Sequence, residues 1–499
     1  MVKSTLASPL KATALVLLLA ASSPALASAA PQSADPYRTI VALEQARSLG
    51  NGILAGFLNG GDPVLAARAA LAIGRTKQPG GRVMLAAHLT DGDPGVRAMS
   101  VYGLGLLGEG SVGLKITRLL ATDKNGAVRV AAFDALDRLE SANVLSDAAQ
   151  SQAAAATLAT LKTSLDPILR ARAASTSEAF RNSRMGDTIS RGLIAAFGAE
   201  RNNDVRWHIM WAVFRGYAVR VPRAFLTTAL QDKNELVRIE AVRAYGRLKN
   251  KDAIGALTPL LNDPSWRVQE QTIESLKTLR GLPPTDHLIQ IPNGIHVPAV
   301  AVQNYLEIAP LPRSVPAGKP AAPTPDQAIY RPQLGISTSA SMNGPMPGPH
   351  PQVRIETAKG TIVVELFPEW APLTVANFLN ITNRGYYDGN RWFRIVPDFV
   401  AQTGDPNDNG EGDAGYTIGA EENPLEQTSY VLSMGMNYDN NGPLRDSAGT
   451  QFYITLSPQL HLDRDFTVFG QVVRGFDVLG RLVESDRMIR VEQIPDSLK

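Results

Sequence analysis

The 499-residue sequence predicts a multidomain chain: an all-α solenoid followed by a closed antiparallel β-barrel with two capping helices. Three observations predict it. A helical phrase headed by Asp or Asn recurs between Asp35 and Leu282, Pro and Gly then break all periodicity, and from Val353 short strand-like runs take over. A chain of 53.5 kDa also exceeds what one ordinary core organises, so more than one domain is expected.

The first element is a leader. Lys3 and Lys11 flank a polar start, Ala12 to Ala21 is a short apolar run, and Ala25-Leu26-Ala27 supplies small residues for cleavage, with Ala30 as an alternative point. That layout predicts a secretory signal peptide over 1–27, since the apolar run falls well short of the ~20 residues of a membrane span. The chain is therefore expected to be periplasmic or secreted. It has no cysteine, which excludes disulfides, Cys–zinc sites, thiol catalysis and a lipid anchor on an N-terminal Cys. Lys plus Arg is 49 against 47 for Asp plus Glu, and both leader lysines belong to the excess. A mature chain so close to neutral has no global field that would draw it to nucleic acid or anionic membrane.

The solenoid, 35–282, rests on phrases such as DPVLAARAALAIG from Asp62, DPGVRAMSVYGLG from Asp93, NGAVRVAAFDAL from Asn125 and DPSWRVQEQTIESL from Asp263. Asp or Asn caps a helix N-terminus, and Pro directly behind it suits the first helical position. Apolar residues at helical spacing then bury one face on the neighbouring helix pair. An Arg recurs at Arg97, Arg129, Arg170, Arg206, Arg238 and Arg267, at intervals of about 29 to about 41 residues. The segment resembles HEAT repeats of a short type. The arginines are expected to bond neighbouring Asp or carbonyl groups while packing their stems, rather than to bind a ligand. The resemblance implies a protein partner or client on an extended repeat surface.

Residues 283–351 form the third element, a Pro-rich linker. Pro removes backbone donors and fixes φ, so Ala309 to Gln327 and Asn343 to Pro351 are expected to be extended and semi-rigid. Ala328 to Ile336 between them is less biased and is a candidate docking segment.

The barrel, 352–499, opens with two strands around the Lys359-Gly360 turn, followed by an amphipathic helix within Ala371 to Gly389. Strand-like runs recur near Arg391, Tyr430, Gln451 and Thr467, with a second helix at Phe476 to Leu482. Short strands with two helices suit a closed barrel. Within it stand WFRIVPDFVAQTGDP (Trp392 to Pro406) and GTQFYITL (Gly449 to Leu456), and through them the span Val353 to about Ile494 resembles the cyclophilins.

That resemblance implies a peptidyl-prolyl cis-trans isomerase that needs no cofactor or metal. Arg394 matches the catalytic arginine and Gln402 the residue that holds substrate backbone and orients the arginine. Phe399, Val400, Tyr453 and Leu462 match the proline pocket, and Gln451 matches a backbone-binding glutamine. Gly410, beside Gly412, allows a peptide backbone to come close, and Gly435-Met436-Asn437 takes the place of the family's small segment after LSM. Two further pocket positions depart from the pattern: His461 stands where many members have Trp, and Phe466 where many have His. The loop Tyr438 to Ala448 is several residues longer than usual.

Other chemistry lacks a pattern. Asp405 to Gly410 imitates the start of a calcium loop, but Tyr416 stands where the bidentate Glu is required. The six histidines show no metal-ligand spacing, and neither a nucleophile motif nor a phosphate-cradling loop is present. Two functions therefore compete. One is an isomerase that helps exported proteins to fold, with the solenoid holding a proline-containing unfolded or extended client or a partner. The other is a non-catalytic scaffold whose barrel only binds Pro-containing segments.

Overall fold

The computed structural model describes residues 35–249, 252–281, 288–290, 296–298, 350–412, 415–439, 442–463, 465–484 and 486–495. The leader and its cleavage points lie outside the described residues, as does most of the Pro-rich segment, including 328–336. Within that segment a short antiparallel ladder, β1 (Leu288–Gln290) with β2 (His296–Pro298), interrupts the expected extended linker.

The N-terminal region is built from helices in two layers. The odd-numbered ones are α1 (Pro36–Gln45), α3 (Pro63–Thr76), α5 (Pro94–Leu107), α7 (Gly126–Ser141), α9 (Pro167–Thr176), α11 (Asn203–Ala212), α13 (Glu235–Arg247) and α15 (Trp266–Arg280). Between them run α2 (Ile53–Leu58), α4 (Gly81–Ala87), α6 (Gly113–Thr122), α8 (Asp147–Thr163), α10 (Gly186–Ala199), α12 (Arg223–Ala229) and α14 (Ala253–Leu257). The capping chemistry matches the repeated phrase: Asp62, Asp93, Asn125, Asp166, Asn202 and Asn234 each accept a backbone N–H from the first turn of the helix that follows. Ala- and Gly-rich faces let the odd helices approach closely. A Cβ on Gly74 would meet Gly103 Cα at 2.5 Å, so α3 and α5 touch backbone to backbone.

The repeated arginines tie one repeat to the next. Arg97 places Nε and Nη2 on Asp123 at 3.0 and 3.1 Å, Arg170 on Glu200 at 2.7 and 3.2 Å, and Arg238 on Asp263 at 2.7 Å each. Arg206 sets the same two nitrogens on Asp232. Each of these acids stands two residues before the next helix cap and also accepts a backbone N–H from that residue: Asn125, Asn202, Asn234 or Ser265. Arg129 instead donates to the Leu120 carbonyl and Thr160 Oγ1. A planar fork held on a carboxylate makes these strong, directional joints.

The C-terminal region is an eight-stranded antiparallel sheet in the order β12-β3-β4-β11-β7-β10-β6-β5. Its strands are β3 (Gln352–Thr357), β4 (Gly360–Leu366), β5 (Arg394–Val396), β6 (Val400–Thr403), β7 (Val431–Met434), β10 (Phe452–Thr455), β11 (Val468–Arg474) and β12 (Met488–Ile494). The sheet curls until its outer strands meet, through the Arg391–Arg487 bridge and the Trp392 N–H on the Asp486 carbonyl at 2.9 Å. Helix α16 (Pro372–Asn383) inserts Phe378 among Tyr387, Phe452 and Phe469, with ring centroids 5.2–5.3 Å apart. The second helix, α17 (Phe476–Leu479), is a single turn. The long loop folds into a small hairpin, β8 (Tyr438–Asp439) with β9 (Gly442–Pro443).

Solenoid and barrel are not beads on a string. Phe367, Trp370, Leu425, Val431, Leu460 and Val468 of the barrel belong to the same continuous apolar core as the odd-numbered helices. Helix α3 is accordingly buried on every side from Ala66 to Thr76, as a helix covered by neighbours on all faces must be. The fully buried Arg75 crosses the junction: Nε donates to the Glu422 carbonyl at 2.7 Å, Nη2 to the Trp370 and Glu421 carbonyls at 2.7 and 3.1 Å, and Nη1 to Glu44 at 2.8 Å. Further along the same layer Arg172 pairs with Glu426 at 3.0 Å, and Arg243 with Asp398 at 2.8 Å. The repeat face made by the odd helices is thus occupied by the chain's own barrel. Among the described residues no helix is long and apolar enough to cross a membrane.

Candidate active site

The site is built on β5 and β6 and on β10 beside them. Antiparallel register sets Arg394 opposite Gln402, and Gln402 opposite Tyr453. Strand alternation then sorts the side chains. Ala401, Phe452 and Ile454 enter the barrel core, while Val400 and Tyr453 join a separate small cluster with Leu462 and Phe466, against which Phe399 and Met436 pack. Five of the residues expected in the pocket therefore meet in one apolar patch, joined by Met436 of the segment after LSM, which packs on the main barrel core as well.

A polar chain runs beside that patch. Arg394 Nη1 donates to Gln402 Oε1 at 3.3 Å, Gln402 Nε2 to Gln451 Oε1 at 3.1 Å, and Gln451 Nε2 to the Gly410 and Gly412 carbonyls at 3.0 and 2.9 Å. The guanidinium carbon of Arg394 lies 5.3 Å from the centre of the Phe399 ring, and His461 stacks on that ring at 5.9 Å. Partial burial lowers the Arg394 pKa, against the opposing influence of Tyr438 and Glu484, yet a guanidinium stays charged. Arg394 has no carboxylate within ion-pair distance among the described residues. Its charge is held in place by a neutral amide and remains available to an incoming group.

The glycines are placed as the chemistry requires. A Cβ on Gly435 would come within 3.1 Å of Gln451 Cβ and 3.5 Å of Gln402 Nε2, so a side chain there would crowd the glutamine pair. Gly410 has φ +88°, in the region where glycine is at ease. The loop that carries it is organised by Asp405, whose carboxylate accepts the N–H groups of Asn407 and Asn409 at 2.7 and 2.9 Å, and that of Gly410. Asn437 stands apart from the pocket. It is exposed, and its N–H donates to Ser447 Oγ at 2.9 Å at the base of the β8–β9 hairpin.

Two residues here escaped the sequence reading. Tyr438 leads the extra hairpin and brings its ring to 6.2 Å from Phe466, extending the aromatic wall toward solvent. Its position in an unusually long loop beside the pocket residues was the available signal. Asp398, between the strands that carry Arg394 and Gln402, is buried with φ +54°. Its contacts depend on the solenoid, so no local pattern announces them.

Residues 352–494 match the family model described as cyclophilin type peptidyl-prolyl cis-trans isomerase/CLD, and residues 51–137 and 222–291 match that of HEAT repeats. Among curated relatives, peptidyl-prolyl cis-trans isomerase CYP18-2 of Arabidopsis thaliana is 38% identical over 29% of this chain and 88% of its own length. Peptidyl-prolyl cis-trans isomerase B of Bacillus subtilis is 42% identical over 26% of this chain and 90% of its own. The peptidyl-prolyl cis-trans isomerase of Synechococcus elongatus is 38% identical over 29% and 98%.

Proposed function

The chain belongs to the cyclophilin-type peptidyl-prolyl cis-trans isomerases, its isomerase domain joined to HEAT repeats, and from that premise we propose that it turns X–Pro bonds in exported, unfolded or extended polypeptides. The barrier it must lower, about 18–20 kcal/mol, comes from amide resonance. The proline ring enters the patch of Phe399, Val400, Met436, Tyr453, Leu462 and Phe466. Gln402, Gln451 and the Gly410 backbone hold the flanking peptide. Arg394 donates toward the prolyl nitrogen as it becomes pyramidal, which favours the twisted amide over the planar one.

The observation that carries this reading is a guanidinium beside an apolar patch, steadied by an amide rather than neutralised by an acid. The leader supports action outside the cytoplasm, and a partner of the solenoid would meet its even-numbered layer, since the odd-numbered one holds the barrel. The test is NMR exchange spectroscopy of a short X–Pro peptide with the full chain expressed in a Gram-negative host, whose mass also reports removal of 27 or 30 residues. Arg394→Ala is expected to cut kcat/KM by about 10²- to 10³-fold with an unchanged unfolding midpoint. Retained activity in that variant would overturn the role given to Arg394, and an unprocessed, cell-retained chain would overturn export.

A further inference from the structure

The last repeat arginine breaks the pattern of the others. Arg97, Arg170, Arg206 and Arg238 each reach an acid of the following repeat through Nε and Nη2. Among the described residues no repeat follows α15, yet Arg267 uses the same two nitrogens on Asp398 of the barrel, with Nε at 2.7 Å, while Nη1 donates to Glu235 at 3.0 Å. Arg243 of α13 takes the other carboxylate oxygen at 2.8 Å. The barrel occupies the place of the next repeat.

Asp398 also belongs to the turn from β5 to β6, between the strand of Arg394 and Phe399 of the pocket. The barrel holds the turn by its backbone: Ser457 Oγ and Gln459 Nε2 donate to the Asp398 carbonyl at 2.5 and 2.9 Å, and Phe399 N–H to the Val396 carbonyl at 3.1 Å. The solenoid holds it by its carboxylate. Both carboxylate oxygens of Asp398 are taken by solenoid guanidinium groups, in a residue held at positive φ, where Asp is tolerated but not at rest.

We propose that Arg243 and Arg267 are positioning residues of the isomerase: by clamping Asp398 they fix the turn that presents Phe399 to the substrate proline and to the Arg394 guanidinium. This rests on the reading of Phe399 as a pocket wall. The solenoid is then an internal brace for the active site, whatever else it binds. Displacing a pocket wall weakens ground-state and transition-state binding alike, and so raises KM rather than lowering kcat. A merely structural joint behaves oppositely: losing it reduces the fraction of folded enzyme and lowers kcat at constant KM.

The experiment measures kcat and KM for one X–Pro peptide in the full chain. Asp398→Asn keeps the shape and tolerates the positive φ but removes the charge, and Arg243→Ala with Arg267→Ala removes the clamp from the other side. Each is expected to raise KM by about fivefold to tenfold with kcat within about twofold of the parent, while Arg267→Lys, which keeps the charge and loses the fork, falls between. The double alanine variant leaves a buried carboxylate unpaired, so Asp398→Asn decides the matter if that variant does not fold. An unchanged KM in Asp398→Asn, in a background where Phe399→Ala does raise KM, overturns the clamp. An unchanged KM in Phe399→Ala overturns instead the pocket assignment on which it rests.

Discussion

In the solenoid, Arg97, Arg170, Arg206 and Arg238 each spread two nitrogens over a carboxylate of the next repeat; in the barrel, Arg394 sets one nitrogen on the neutral amide of Gln402. The side chain is the same and the partner differs. A carboxylate neutralises the guanidinium and turns it into a joint, whereas an amide orients it and leaves its charge unspent. Surroundings sharpen the contrast. Asp123, Asp232 and Asp263 are nearly enclosed, while Arg394 lies at the solvent edge of an apolar patch. Among the described residues, what sets Arg394 apart is the missing acid rather than the arginine.

The largest effect, on turnover, belongs to Arg394→Ala as given above. Next in size is Arg75→Ala at the junction. It leaves Glu44 short of one of its two guanidinium partners, removes the donor to the Trp370 and Glu422 carbonyls, and leaves the Glu421 carbonyl with Asn423 Nδ2 alone, all buried. A loss of about 3–5 kcal/mol is expected in urea unfolding, because a buried charge is left short of its partner. A loss under about 1 kcal/mol would mean that the apolar contacts hold the two regions together alone.

Acid provides a third test. Burial pushes the Glu422 carboxyl up, but hydrogen bonds from Arg445 and the charges of Lys77 and Arg445 outweigh it and hold its pKa down to about 2. A depressed carboxylate contributes stability that is complete above its ordinary value of 4.5 and is lost as pH falls toward 2. Asp134 behaves oppositely. Burial raises it to about 6 against the pull of Arg172, so it takes up a proton between pH 7 and 5 with a gain in stability. Thermal unfolding midpoints should therefore rise slightly between pH 7 and 5 and drop below about 4.5, with up to about 3 kcal/mol of that loss from Glu422. Glu422→Gln should flatten the acid limb, and an unaltered limb would remove Glu422 from the account.

The smallest expected effect is the most direct on the comparison. Arg238→Ala strips one repeat joint and should lower stability by about 2 kcal/mol, since Asp263 keeps the Ser265 N–H. KM for the X–Pro peptide should not move. A shift in KM would show that bracing extends from the Arg243 and Arg267 clamp to the repeat joint beside it, which reaches Arg267 through Ser265 and Glu235.

Much of this was legible in the chain. The Asp- or Asn-headed phrase predicted helices that Asp62, Asp93 and Asn125 do cap, whereas the helix of the phrase from Asp263 starts after Ser265. Arg394, Gln402, Gln451 and the pocket residues were legible through the resemblance carried by Trp392 to Pro406 and Gly449 to Leu456, and the side-by-side strands β5, β6 and β10 bring Arg394, Gln402 and Tyr453 together. The inter-repeat acids were visible as well, in Asp123-Lys124-Asn125 and Asp232-Lys233-Asn234, but only as a polar lead-in to each helix. Their second role, receiving the preceding repeat's arginine, requires knowing that successive phrases stack.

Near neighbours and regular periods decide helix caps, strand alternation, the order of the two regions, and the side chains that share a face of β5, β6 and β10. How those regions meet is settled by packing alone. Arg75 and Glu422 are separated by 347 residues, and Arg267 and Asp398 by 131, and no local propensity encodes either pair. Buried guanidinium groups need acceptors, and apolar faces such as those of Trp370 and Leu425 need cover. Those demands are readable residue by residue, but which distant group meets each of them is settled only when all surfaces are packed at once.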